Sequence, residues 1–120
     1  MKDFRELRVW QRAHALSLSV YRIRTTFPRD ERYGLTGQIR RASSSVAANL
    51  AEGCGRSGDA EFARFCSIAM GSASELDYHL LLAKDLDLIP PTDYDDLAKR
   101  AAELKRMLNV LIQKLRANSQ

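Results

Sequence analysis

The sequence predicts an all-α fold, an antiparallel up-down four-helix bundle that forms a single domain over residues 1–120. Three observations predict it. Apolar residues recur every three or four positions in four separate segments, which is the spacing of one helix face. No segment alternates apolar and polar residues as a half-buried strand does. Short stretches rich in proline, glycine and aspartate separate the segments, so we expect consecutive helices to lie side by side.

The first two helices are predicted over roughly residues 5–26 and 35–53. The first ends in "FPRDERYG", because Pro28 disfavours a helical backbone at the residue before it. The second ends at the glycines of "GCGRSG". Their apolar stripes contain Leu7, Trp10, Ala13, Leu16, Val20 and Ile23 in the first helix and Leu35, Ile39, Ala42, Val46 and Leu50 in the second.

The other two helices are predicted over roughly residues 58–88 and from Thr92 onward. Ser57 or Asp59 is the expected start signal of the third helix. Thr92 is the expected N-cap of the fourth, with Asp95 as the second member of a weak capping box. Their stripes contain Phe62, Phe65, Ile68, Ala69, Leu76, Leu80 and Ala83 in the third helix and Leu97, Ala101, Leu104, Leu108, Leu111 and Leu115 in the fourth.

"GCGRSG" also matches the G-x-G-x-x-G pattern of dinucleotide-binding loops, which requires a strand before the glycines. The preceding "QIRRASSSVAANLAE" has helical spacing instead, so we expect no nucleotide and no cofactor here. Gly53 or Gly55 is expected in the left-handed C′ conformation, and Gly58 lets the chain reverse. The start of the third helix beside Arg56 either binds a phosphate or is simply a helix cap.

No set of residues predicts catalysis or metal binding, so we expect a protein that is not an enzyme. His14 and His79 have no acidic neighbours in an HExxH or HxxE arrangement, and Cys54 and Cys66 are expected to be free thiols. No apolar run approaches the roughly 20 residues that cross a bilayer. The first residues, "MKDFRELRVW", have no signal-peptide core. We therefore expect a cytoplasmic protein with no membrane partner.

Positive charge is concentrated in the first half of the chain. Residues 1–64 contain 12 basic and 7 acidic residues, a net charge of +5, whereas residues 65–120 contain 7 basic and 8 acidic residues, a net charge of −1. Fourteen of the nineteen cations are arginine, which makes bidentate contacts with phosphate or carboxylate. The candidate nucleic-acid contacts are Arg29, Arg32, Arg40, Arg41, Arg56 and Arg64.

A line of polar residues runs beside the apolar stripe of the second helix. Its members are Gln38, Ser45, Asn49 and Glu52. An unpaired buried polar group costs roughly 1 to 3 kcal/mol, so we expect Ser72 and Glu75 on the third helix to be partners of this line. Arg40 and Arg41 either pair with Glu75 or Glu61 across the bundle or bind phosphate. The sequence leaves both interpretations open.

The third and fourth helices are apolar over more than one stripe, as in "LLLA" at 80–83 and "VLI" at 110–112. This surplus predicts either a homo-oligomer interface or a core that reaches around both sides of these helices. The candidate interface residues are Leu80, Leu81, Leu82, Leu111 and Ile112.

Three motifs, "GLTGQIRRA", "NLAEG" and "GSASEL", occur at fixed mutual distances within residues 4–88. Here the chain resembles a four-helix-bundle family whose members include proteins encoded in intervening sequences of bacterial 23S rRNA genes. It is also similar to the accessory protein of diversity-generating retroelements. The motif positions of the family correspond to Arg40, Arg41, Asn49, Glu52, Gly53, Arg56, Phe62, Phe65, Gly71, Ser72 and Glu75.

The resemblance implies a four-helix protomer of a ring-like homopentamer, and it implies no catalytic residue. "EGCGRSGDAEF" departs from relatives that carry more basic residues after the glycines, which weakens the expectation of a phosphate site at this turn. The leading hypothesis is an oligomeric binding protein whose partner is RNA, a ribonucleoprotein or a nucleic-acid-processing protein, bound through arginines of the first two helices. The alternative is a protein scaffold or accessory subunit that binds no nucleic acid.

Overall fold

The computed structural model describes residues 3–23 and 34–119, and the described chain is all-α. Its four helices are α1 (Arg8–Arg22), α2 (Leu35–Cys54), α3 (Asp59–Asp85) and α4 (Pro91–Asn118). A short 3-10 turn, Phe4–Glu6, precedes α1. No strand occurs within the described ranges. The predicted four-helix, all-α fold is confirmed.

Two helix starts differ from the prediction. The first helix begins at Arg8 rather than at residue 5, because the backbone of Leu7 is extended. Helix α4 begins at Pro91, so Thr92 lies inside its first turn and is not the N-cap. A proline fits the first helical position because its missing N–H would have no partner there. The predicted last residues of the first helix, 24–26, lie outside the described residues.

The glycines between α2 and α3 have three different roles. Gly58 has a φ of 82°, and this left-handed backbone reverses the chain into α3, as predicted. Gly55 has a right-handed backbone with φ −83°, so the predicted left-handed C′ conformation is wrong there. Gly53 is a buried residue inside α2, where a Cβ atom would lie 2.8 Å from the Cβ of Phe65 and 2.9 Å from a ring carbon of Phe62. Its missing side chain lets α2 and α3 close together.

All four helices contribute to one hydrophobic core. Its fully buried side chains include Leu16, Val46, Leu50, Leu76, Leu104 and Leu108. Leu80 and Ile112 also lie in this core, with only 1% and 6% of their surface exposed. They were expected at a subunit interface, and their burial within the single chain corrects that expectation. Ile68, expected in the core, is instead 41% exposed.

Polar contacts join neighbouring helices along the elongated bundle, which measures 49 × 20 × 20 Å. They include Ser17 to Ser43 between α1 and α2, Ser45 to Ser72 between α2 and α3, Lys105 to Asp77 between α3 and α4, and Arg12 to Glu103 between α1 and α4. Each helix therefore packs against two others. The seam between α2 and α3 contains the polar line of α2.

Candidate functional site

The middle of the α2–α3 seam is held by hydrogen bonds among small polar side chains. The hydroxyl oxygens of Ser45 and Ser72 are 2.9 Å apart. Asn49 donates its amide to the backbone carbonyl of Ser45 at 2.8 Å and to the Ser45 hydroxyl at 3.1 Å. The predicted partnership of Ser72 with the polar line is confirmed. Glu75 does not bond to this line; its Oε1 lies 3.3 Å from Nε2 of His79, one turn further along α3.

Directly beside this contact the seam opens into a groove of about 480 Å³, which we call the seam groove. It is lined by Gln38, Arg41, Ala42, Ser45, Ser72, Glu75 and His79. The side chains of Gln38 and Arg41 are exposed and contact no hydrogen-bond or ion-pair partner among residues 3–23 and 34–119. The groove therefore offers one unpaired guanidinium and one unpaired carboxamide from α2, facing a carboxylate from α3.

The carboxylate of the seam groove is positioned by a nearly buried histidine. The side chain of His79 is 12% exposed, whereas that of Glu75 is 60% exposed. Nδ1 of His79 is buried and has no hydrogen-bond partner in the described chain. The imidazole is thus fixed by packing and by its contact with Oε1 of Glu75. A carboxylate has about four acceptor positions, so Glu75 keeps acceptor capacity for a ligand.

Arg40 and Arg41 lie on different sides of α2. Arg40 turns toward α1, where it donates to the backbone carbonyl of Tyr21 at 3.4 Å and its guanidinium lies 5.1 Å from the centre of the Tyr21 ring. Neither arginine pairs with Glu75 or Glu61 among the described residues. The ion-pair interpretation of these two arginines is therefore wrong. Arg40 connects α1 to α2, and Arg41 stays available.

Arg56 and Arg64 come together at the turn between α2 and α3. Their guanidinium carbons lie 5.1 Å and 4.7 Å from the centre of the Phe65 ring. Each also has an acidic partner, Glu52 at 2.8 Å for Arg56 and Glu61 at 3.0 Å for Arg64. We call these five residues the turn cluster. The cluster contains two cations and two carboxylates, so its own net charge is zero.

The four described arginines among the six expected to contact nucleic acid do not form one patch. Arg56 and Arg64 are neighbours, Arg41 lies in the seam groove, and Arg40 faces α1. Arg29 and Arg32 lie outside the described residues.

The sequence-based reasoning missed His79 as part of the site. Its signal was spacing, because His79 follows Ser72 by seven residues and Glu75 by four, which continues the polar line of α3.

A second, larger cleft of about 690 Å³ lies at the end of the bundle beside the turn. Leu7, Phe62, Leu111 and Leu115 form its apolar part, and Lys114 is at its rim. Gly58 provides no side-chain cap for α3, but Asp59 and Glu61 place two carboxylates in the first helical turn. These carboxylates complement the helix dipole and oppose binding of a second anion, which favours plain capping over a phosphate site.

The outer side of α3 and α4 exposes apolar side chains. Leu81 is 39% exposed, Tyr78 58% and Val110 64%. Leu82 and Leu111 are half-buried. Three of the five expected interface residues are thus at least partly accessible, whereas Leu80 and Ile112 are not.

Neither a metal site nor a membrane span is found where the chain is described. Residues 3–23 and 34–119 contain no cluster of three or more histidine, cysteine or acidic side chains suited to a metal ion. No described helix combines the length and the apolar character that a bilayer crossing requires.

Comparisons with known proteins address the family and the fold. The model of the 23S rRNA-intervening sequence protein family matches residues 5–110. The chain belongs to this family. The match confirms the resemblance inferred from the sequence motifs, and it extends into α4, beyond the residues that carried those motifs. The likeness to the retroelement accessory protein stays a prediction.

A solved structure shares the fold of this chain. It is a protein of unknown function from the S23 ribosomal protein family of Bacteroides thetaiotaomicron, with 23% identity and a TM-score of 0.78. The similarity covers 87% of this chain and 97% of the other. No match was found among curated proteins.

Proposed function

We propose that the protein is a non-enzymatic, self-assembling RNA-binding protein whose α2–α3 seam contacts the backbone of single-stranded RNA. The observation that carries the proposal is the unpaired Arg41 in the seam groove, on the same seam as the turn cluster. At a rise of about 1.5 Å per helical residue, Arg41 lies about 20 Å along α2 from its last residue, Cys54, which is two residues before Arg56. Cationic groups spaced along one seam suit an extended polyanion.

The acidic partners in the turn cluster do not prevent its arginines from binding phosphate. Both ion pairs are about half exposed and join residues three or four positions apart, an arrangement that contributes only about 0.3 to 0.5 kcal/mol. A bidentate arginine–phosphate contact is stronger than such a pair. Arg56 and Arg64 are therefore expected to contribute, but less than Arg41, which has no ion pair to exchange within the described part of the chain.

Self-assembly follows from the accessible apolar side chains of α3 and α4. Leu81 and Val110 support a contact with further subunits, and the family resemblance implies a ring-like homopentamer. The polar contacts between α1 and α4 support an antiparallel up-down protomer. Arg12 contacts Glu103, whereas Ser19, which lies later in α1, contacts Arg100, which lies earlier in α4. One protomer presents few cations, whereas a closed assembly repeats the seam by symmetry and increases avidity for one RNA chain.

A protein scaffold is the second candidate function. The observation that favours it is the low charge of α3, whose residues 66–83 contain only two charged side chains, Glu75 and Asp77. Asp77 is paired with Lys105, and Glu75 contacts His79. A helix face with so few free charges suits contact with another protein.

The test combines light scattering with RNA filter binding over a salt series. We expect the wild type to be oligomeric, to bind single-stranded RNA at about 50 mM salt and to release it at a few hundred millimolar, with a slope of about −0.7 per phosphate contacted. Leu81→Glu should dissociate the assembly and weaken RNA binding. Leu18→Glu is the matched control, because Leu18 on α1 is 38% exposed and Leu81 is 39% exposed.

Two outcomes would reject parts of the proposal. An oligomer that binds no RNA at low salt would favour the scaffold. A wild-type monomer at micromolar concentration would reject self-assembly.

A further inference from the structure

We propose that the seam groove is a base-recognition site that takes one unpaired guanine of single-stranded RNA. This inference rests on the RNA binding proposed above and adds to it a preference for one base. The groove, about 480 Å³ in volume, has the size of a small-molecule pocket. It combines donors from α2 with an acceptor from α3, which a site for the phosphate backbone alone would not need.

The acceptor is the carboxylate of Glu75. Guanine is the only one of the four RNA bases that presents two neighbouring N–H groups, N1–H and the N2 amine, to a single carboxylate. Single-stranded RNA exposes this edge because its bases are unpaired. Oε1 of Glu75 already contacts Nε2 of His79 at 3.3 Å, while Oε2 has no partner in the described chain. Glu75 is thus both oriented and available.

The donor is the guanidinium of Arg41, across the seam from Glu75. Arginine binds O6 and N7 of guanine through two parallel hydrogen bonds, which is the commonest specific protein contact with that base. Packed helices have axes about 8 to 10 Å apart, so a base that lies across the seam reaches side chains of both. Gln38 adds a further unpaired donor and acceptor on the side of Arg41.

An exposed aromatic side chain contacts His79, one of the residues that line the groove. The Tyr78 ring is 58% exposed, and its centre is 5.7 Å from that of the His79 ring. Tyr78 follows Glu75 by three residues, so the two are surface neighbours on α3. Unpaired bases stack on exposed aromatic rings of this kind. Stacking on Tyr78 and hydrogen bonding to Glu75 can therefore act on the same nucleotide.

The experiment measures fluorescence anisotropy of labelled uridine oligonucleotides that carry one central guanosine, inosine, adenosine or uridine. Inosine differs from guanosine only by the missing N2 amine, so the comparison isolates one donor to Glu75. We expect the wild-type assembly to bind the guanosine oligonucleotide about tenfold more tightly than the inosine or adenosine ones. Glu75→Gln should remove this preference while binding to the all-uridine oligonucleotide is retained.

Two further variants serve as controls. Glu103→Gln removes the same charge from α4, where Glu103 pairs with Arg12, and should keep the guanosine preference. Arg41→Lys keeps the charge but loses the bidentate contact, so it should reduce the preference without changing the salt slope.

Each remaining outcome contradicts a defined part of the inference. Equal affinity of the wild type for all four oligonucleotides would overturn guanine recognition and leave the proposed RNA binding intact. A guanosine preference that survives Glu75→Gln would place recognition elsewhere on the protein. Absence of any RNA binding at about 50 mM salt would reject both proposals.

Discussion

The two ends of the α2–α3 seam differ in how closely the same two helices pack: they are in close contact at the turn and leave an open groove at the other end. At the turn, Gly53 lies directly under Phe62 and Phe65, the helices close together, and Arg56 and Arg64 have acidic partners. In the seam groove, the side chains of α2 and α3 leave a space between the two helices, and Arg41 has no partner in the described chain. The closed end stabilises the fold, and the open end retains groups for a ligand.

At the closed end, adding a single methyl group is expected to lower the stability of the protein more than it does elsewhere. Gly53→Ala places a Cβ atom 2.8 Å from the rigid Cβ of Phe65, which forces backbone movement. We expect the free energy of unfolding to fall by about 1 to 3 kcal/mol, measured by urea denaturation.

Gly71→Ala on α3 is the matched control, because no atom outside the adjacent backbone of α3 lies within 4 Å of its added Cβ. The same chemical change should stabilise the chain there by about 0.5 to 1 kcal/mol, since alanine replaces glycine in a helix. Equal effects of the two substitutions would contradict the close approach of α2 and α3 at Gly53.

The buried Cys66 thiol near the closed end predicts that stability depends on pH in the alkaline range. Burial, together with the neighbouring Cys54 thiol, raises the pKa of Cys66 from 9.0 to about 12. Between these values the unfolded thiol ionises while the folded one stays protonated. The free energy of unfolding is therefore unaffected by this thiol below pH 9. Above pH 9 it falls as the pH rises, by at most about 1.4 kcal/mol per pH unit.

Denaturation of the wild type and Cys66→Ala at several pH values between 8 and 10 measures this contribution. The two proteins should differ in slope above pH 9. Parallel curves would show that the Cys66 thiol is not held in its protonated form.

Much of this architecture could be predicted from the sequence, because helical spacing is a local property. The same spacing placed Ser45 and Ser72 as partners, which their 2.9 Å contact confirms. The orientation of adjacent residues was harder to predict. In the apolar run "LLLA", helical spacing assigned Leu80 to the apolar stripe and it lies in the core, but the surplus of leucines also made it an interface candidate beside the exposed Leu81.

The sequence also could not predict which residue each arginine contacts. Arg56 and Arg64 each pair with a carboxylate four or three residues away rather than with one across the bundle, as local helical spacing favours. The open groove was missed because it depends on how two side-chain layers meet, which helical spacing does not specify.

Comparing Arg41→Ala with Arg64→Ala tests most directly the central claim that the open end of the seam carries ligand binding. Both variants lose one exposed guanidinium, and both should keep the oligomeric state of the wild type. With a short mixed-sequence single-stranded RNA at about 50 mM salt, we expect Arg41→Ala to lose about tenfold in affinity and Arg64→Ala less than about threefold. An equal or larger loss in Arg64→Ala would contradict the account and assign binding to the turn cluster.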